Sequence, residues 1–167
     1  TFLLSGGAFV HNNGTVKMYG SAMDIYTTSI TFYNFNTFAN IVPGGTSTSI
    51  NIDNDFTITS GTFNCSNKDI IIKGNYSNSG TFTNNSKTVT FAATDAGNTL
   101  AGTLSGTSKF YNLIFNGVAG AWSFTSNPAV EVANDLTITN GTVTSTSGNL
   151  TVTGNYSNAG TFTHNSG

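Results

Sequence analysis

Asp53, Asp55 and Asp69 come closest to a chemical constellation in this sequence. Asp53-Asn-Asp55 sets two carboxylates around an amide, and Asp69 follows at a distance that one further coil of a repeating structure would span. Hard oxygen donors of this kind suit calcium. The rest of the chain argues against such a site. Residues 54–63 read NDFTITSGTF and residues 134–143 read NDLTITNGTV, so the chain repeats itself. In the second copy Ala133 replaces Asp53 and Asn149 replaces Asp69, whereas a site built by the repeat would recur. Asp55 and Asp135 do recur, each in Asn-Asp before a strand-like run. There a short carboxylate can bond its own backbone. Turn chemistry is their expected role, and no metal or other cofactor is expected.

The remaining ionisable groups are sparse. His11 and His164 share one repeat position, where the middle copy has Asn84, and their neighbours are Asn and Gly. A functional histidine needs a carboxylate partner or a ligand set. No residue nearby in sequence supplies one, so both are expected to be solvated turn residues. Cys65 is the only cysteine, which excludes an intrachain disulfide and a cysteine metal site. Its repeat equivalent is Ser145, so a small residue tolerated in a turn-rich stretch is expected, with a reactive or intermolecular thiol as the alternative.

Charged residues make up 7% of the chain, against about 25% in ordinary globular proteins. There is no arginine, and the net charge is −2. That leaves no electrostatic footprint for nucleic acid. No apolar run approaches the ~18 residues of a membrane-spanning helix. Polysaccharide cleavage on a β-helix would need clustered carboxylates, but the acids here fall at turns rather than mid-strand. No Gly-x-Ser-x-Gly, His-Glu-x-x-His or phosphate loop is present. An enzyme is not expected.

Two softer patterns remain. Tyr76 and Tyr156 in GNYSN, with Tyr111 and Trp122, have rings that stack on sugars if they face outward; core packing is the expected role. Thr-x-Thr recurs at 57/59, 81/83, 88/90, 137/139, 151/153 and 161/163. A flat ladder of such pairs would suit ice binding, but the uneven spacing argues against one. Asn-x-Ser/Thr sequons at Asn13, Asn64, Asn75, Asn84, Asn140, Asn149 and Asn155 are expected by chance in so Asn-rich a chain.

The elements that must position these residues follow from the repeat. Residues 73–83 match 153–163, and residues 7–14 return at 80–87 and 160–167. Inside each unit, strand-like tetrads begin at Thr15, Phe35, Phe56 and Ile70, then at Thr88, Leu113, Leu136 and Leu150. Read as one tetrad per coil, these steps fit a β-solenoid, which stacks short repeats on their neighbours. Leu136, Ile138, Leu150 and Val152 alternate with Thr137, Thr139, Thr151 and Thr153, which puts one set inside and the other outside. Asn-Gly, Ser-Gly and Gly-Asn pairs mark the turns.

The NDLTITNGT segment at 134–142 and the GNYSNAGTFT segment at 154–163, with their copies at 54–62 and 74–83, give the chain a recognisable look. It resembles the Asn/Thr/Gly-rich repeat regions of large bacterial secreted surface proteins, the filamentous-haemagglutinin-like adhesins and related right-handed β-helix proteins. The likeness runs from Gly7 onward. It implies architecture and an extracellular or cell-surface location, and it carries no catalytic residue.

The expected fold is all-β, a right-handed parallel β-helix of about eight coils, with two tandem Ig-like sandwiches as the alternative. Residues 1–6 form a possible cap or inter-subunit contact, 7–79 and 80–159 two units, and 160–167 the start of a third, all in one solenoid. The expected function is a non-catalytic structural or adhesive element of an extracellular filament or cell-surface fibre. Its partners are copies of itself, head-to-tail or as part of a longer repeat protein, through β-edges or end-to-end stacking involving Phe2, Leu3, Leu4 and Phe162, and surface glycans. Neither nucleic acid nor membrane insertion is expected. Carbohydrate binding or cleavage is the second reading, and ice binding the third.

Overall fold

The computed structural model describes residues 2–20, 22–27, 29–126 and 128–166. Thr1 and Gly167, the outermost residues of the two terminal segments, lie outside the described residues. Every strand pairing among the described residues is parallel. Strands stacked in about eight coils make a β-solenoid. Tandem sandwiches, whose sheets are antiparallel, are excluded. The one helical element described is a 3₁₀ turn at Gly106–Ser108.

Each coil contributes to three stacks. The third face runs from Thr15–Met18 through Asn34–Thr37, Phe56–Ile58, Tyr76–Asn78 and Asn98–Gly102. It continues through residues 122–124 and 142–144 to Thr161–Thr163. The second face runs from Ser29–Phe32 through Ser49–Ile52, Asp69–Ile72 and Thr88–Phe91. Residues 112–115, residues 136–138 and Tyr156–Asn158 extend it. Two long strands, Asn112–Phe124 and Leu136–Thr144, turn the corner and serve both faces.

The first face is less regular. Phe2–Leu4, Ala22–Ile25 and Val42–Gly44 stack in order, and a single bridge from Ile41 to Phe63 leads to Thr62–Asn64 and Thr81–Thr83. Above them Ser108 Oγ accepts the Phe82 N–H at 3.1 Å in place of a strand. Bridges from Leu104 and Phe110 then lead to Val130–Val132 and Leu150–Val152.

These pairings correct the reading of one tetrad per coil. The tetrads at Thr15, Phe35 and Phe56 share the third face, whereas those at Ile70, Thr88, Leu113 and Leu136 share the second. The two steps of 14 residues, Phe56 to Ile70 and Leu136 to Leu150, are therefore two-thirds of a coil. Thr15–Met18 and its repeat equivalent Thr88–Phe91 lie eleven strand positions apart, one short of four three-strand coils. Each unit is consequently turned by one face relative to the unit before it.

Alternation places the core as expected. Inward Phe, Ile, Leu, Val and Tyr are buried, and Tyr76 is 1% exposed. Rings stack from coil to coil, Phe35 on Phe56 at 5.7 Å and Phe91 on Phe115 at 5.4 Å, and Phe32 lies against Phe35 across a corner of one coil at 4.4 Å. Each such pair adds about 0.5–1.5 kcal/mol to its area burial. Turns are set by residues that tolerate positive φ. Gly61 and its equivalent Gly141 sit at φ 73° and 88°, a region costly for residues with a Cβ.

Charge is kept off the flat faces. Eight of the twelve charged residues lie between strands, leaving Lys17, Asp24, Asp69 and Glu131 within them. Asp24 and Glu131 occupy strand interiors, contrary to the expectation that the acids fall at turns. Glu131 there accepts the Gly106 N–H across to the neighbouring coil at 2.9 Å.

Candidate functional site

The chemistry-bearing residues converge on the corner that follows the second-face strands. A ladder of short polar side chains runs up it. Asn34 donates to Thr15 Oγ1, and Asn54 donates to Asn34 Oδ1 at 2.8 Å. Asn75 donates its backbone N–H and its amide to Asp55 Oδ1, both at 2.9 Å. Thr99 donates its N–H and hydroxyl to Asn75 Oδ1, again at 2.9 Å. The rungs at Asp55 and Asn75 also take a backbone N–H of the next coil, and every rung ties one coil to the next. Asp55 lies between strands as expected, but its carboxylate bonds the next coil rather than its own backbone, and Asp135 repeats this, receiving two bonds from Asn155 at 2.8 and 3.0 Å.

One residue outward from this ladder, successive coils present His11, Tyr33, Asp53 and Lys73. Lys73 Nζ lies 2.8 Å from Asp53 Oδ1, and His11 Nε2 lies 3.5 Å from Asp53 Oδ2. The imidazole stacks on the Tyr33 ring, with centroids 5.6 Å apart and planes 29° from parallel. His11 Nδ1 accepts the Asn13 N–H at 3.0 Å, which leaves Nε2 to carry the proton that faces Asp53. All three ionisable side chains remain open to solvent, at 22%, 30% and 51% for His11, Asp53 and Lys73. His11 therefore has the carboxylate partner that its sequence neighbours lack. Coil stacking supplies it from a residue far along the chain. His164, its repeat equivalent, is exposed.

The three candidate calcium ligands go separate ways. Asp53 meets Lys73 and His11, Asp55 meets Asn75, and Asp69 Oδ1 accepts the Thr88 N–H at 3.0 Å. Among the described residues no three His, Cys, Asp or Glu side chains converge on a metal position. Trp122 is buried, Tyr111 is half-buried, and Tyr156 is half exposed. The Thr-x-Thr pairs fall on all three faces: 81/83 and Thr151 on the first, 88/90 and Thr137 on the second, Thr57 and 161/163 on the third. Of the four assembly candidates, Phe2 and Leu4 pack against the core beside the first coil, and Leu3 points out at 60% exposure. Phe162 packs partly under Tyr156, with ring centroids 5.9 Å apart.

Two buried groups were not legible as such. Cys65 is fully buried, and burial, helped by the Asp69 carboxylate and opposed by Lys87, pushes its thiol far above the ordinary range. A thiol held protonated in this way is unreactive. Lys68 is also fully buried, its ammonium donating to Gly45 O at 3.2 Å, Ser47 O at 2.7 Å and Asn67 Oδ1 at 2.9 Å. Desolvation lowers its pKa, with Lys87 adding to the effect and Asp24 opposing it. Three acceptors match the three N–H bonds of the ammonium, which makes Lys68 a structural cross-brace between coils.

The corner of the second unit provides an internal control. Asn84, Tyr111, Ala133 and Thr153 stand where the first has His11, Tyr33, Asp53 and Lys73. The ladder beneath is the same, from Thr88 through Asn112 and Asn134 to Asp135 and Asn155. Three ionisable groups have been placed on a frame that forms without them, and comparing the two copies position by position is the sequence signal that marks them. No known family, curated protein or solved structure matches the chain.

Proposed function

We propose that this chain is a non-catalytic structural and adhesive element of an extracellular filament or cell-surface fibre, and that it associates with copies of itself end to end. The observation that carries this reading is where the polar chemistry goes. The carboxylates Asp55, Asp69 and Asp135 accept backbone N–H groups from a neighbouring coil, so their role is to hold the stack together. A corner ladder of this kind locks register without a catalytic constellation, and flat faces nearly free of charge suit dense lateral packing.

The terminal coil supports the end-to-end part. Tyr76 is covered by the parallel strand Asn98–Gly102, and its equivalent Tyr156 is 50% exposed on Tyr156–Asn158. The half-exposed Tyr156 ring offers apolar surface of the kind that a stacked parallel strand covers at Tyr76. A second copy stacked in line would bring Phe2, Leu4, Phe9 and Val16, all only partly buried, over Leu150, Val152, Tyr156 and Phe162.

Electron microscopy with fibre diffraction tests the proposal. Filaments with an axial repeat of about 4.8 Å are expected. Discrete monomeric particles at high concentration would overturn the self-association. Ice binding, by contrast, draws little support, since the turning of each unit spreads the threonine pairs around the axis.

A further inference from the structure

We propose that the corner formed by His11, Tyr33, Asp53 and Lys73 is a binding site for a neutral sugar with vicinal hydroxyls. The inference concerns the adhesive side of the proposed function and does not depend on filament formation.

Three observations carry it. First, the three ionisable residues are not required by the fold, because the second unit builds the same ladder with Asn84, Ala133 and Thr153 in their places. Secondly, they gather on one corner of a chain in which charged residues are only 7%. His11 comes from the first coil, Asp53 from the third and Lys73 from the fourth, so only the stacking assembles them. Thirdly, their chemistry is mixed and their side chains are accessible. The Asp53 carboxylate accepts, and the Lys73 ammonium 2.8 Å away donates and keeps two further N–H bonds.

An acceptor and a donor at hydrogen-bond spacing match two neighbouring hydroxyls, each of which can donate to the carboxylate and accept from the ammonium. His11 Nε2–H adds a donor on the other side of Asp53, and the stacked His11–Tyr33 rings form an apolar flank for the ring carbons. The central carboxylate sets the ligand class. Paired with the Lys73 ammonium it leaves the corner without net charge, so the corner offers hydrogen bonds rather than a charge to match, which suits a neutral sugar over a uronate.

The test uses the whole chain and amide chemical shifts. The probe is a panel of neutral hexose and N-acetylhexosamine oligosaccharides, set against oligosaccharides of the corresponding uronates. Neutral saccharides are expected to shift the amides of His11, Tyr33, Asp53 and Lys73 and to leave those of Asn84, Tyr111, Ala133 and Thr153 in place. Installing the second unit's residues, His11→Asn with Asp53→Ala and Lys73→Thr, is expected to weaken binding at least tenfold while the spectrum elsewhere stays that of the folded chain.

Absence of any shift with neutral saccharides would overturn the site, as would equal shifts at both corners or a preference for uronates. Should the substituted chain lose its folded spectrum, the single change Lys73→Thr, at the most exposed of the three, separates binding from stability. Binding retained in that variant would also overturn the proposal. Filaments that fail to form while neutral saccharides still bind would sink the self-association and leave this site standing.

Discussion

The two repeat units share a frame and differ in what is set on it. In the first, Lys68 braces the loop at 45–47 from inside; in the second, Gly148 stands at that position, and Thr146 donates to Pro128 O at 2.7 Å. Cys65 faces Ser145, and the charged corner faces a neutral one. What both units keep is the inward alternation, the paired turn glycines and the Asn/Asp ladder. The comparison separates residues that hold the stack from residues that the stack merely carries, and it ranks the substitutions that would disturb each.

The largest effect is expected at Lys68. Lys68→Met leaves three oxygens without their donor and should cost about 3–4 kcal/mol in denaturant unfolding. A loss below about 1 kcal/mol would mean that the loop relaxes as it does in the second unit. Next come the paired glycines. A Cβ on Gly80 would meet Gly61 O at 2.4 Å, and one on Gly160 would meet Gly141 O at 2.6 Å. The clash is the same, but Gly80 has coils on both sides and Gly160 lies in the last described coil. Gly80→Ala should cost about 3 kcal/mol and Gly160→Ala about 1 kcal/mol, because only the second can move away. Equal costs would show that the end coil is as rigid as the middle.

A smaller effect is expected on the alkaline side. Burial raises the Cys65 thiol above its ordinary value of 9.0, so the folded chain keeps a proton that the unfolded chain releases. Its contribution is fully present below pH 9 and declines above it, by about 1.4 kcal/mol per pH unit. Buried Tyr76 acts in the same sense above pH 10. Lys68, whose pKa is lowered, works the other way and gains stability as pH rises toward 10.5. Cys65→Ser, which imports Ser145's hydroxyl, should flatten the decline between pH 9 and 10 in unfolding curves. An unchanged slope would exclude Cys65 as its source. The smallest change is expected when the charged corner is replaced by its neutral counterpart. Exposed ion pairs contribute about 0–1 kcal/mol, so the melting temperature should move by no more than a few degrees.

Much of the frame was legible in the sequence because it is written locally. Alternation of Leu and Ile with Thr fixed which side chains face inward, and Asn-Asp before a strand marked the ladder. The turning of each unit was also present, in the two 14-residue steps from Phe56 and from Leu136. It is hard to recognise there because strands of three or four residues look alike on every face, so a step of two faces passes for a coil. The His11–Asp53–Lys73 corner was harder. Its members lie in different coils, and which residues meet depends on coil lengths that only the pairings reveal. Lys68 gave no sign, since a lysine in a turn-rich segment ordinarily lies in water.

The eleven-strand advance that turns each unit by one face sets which strands meet throughout the stack, and disulfide trapping tests it directly. Ile71 and Thr90 are register partners on adjacent parallel strands, about 4.8 Å apart and within disulfide reach. If units advanced by four whole coils, Thr90 would lie over Ser77 instead, on the strand that in fact pairs with Asn98–Gly102. In a Cys65→Ser background, Ile71→Cys with Thr90→Cys should oxidise to an intrachain disulfide, and Ser77→Cys with Thr90→Cys should stay reduced. The reverse outcome would contradict the turned stack and every face assignment built on it.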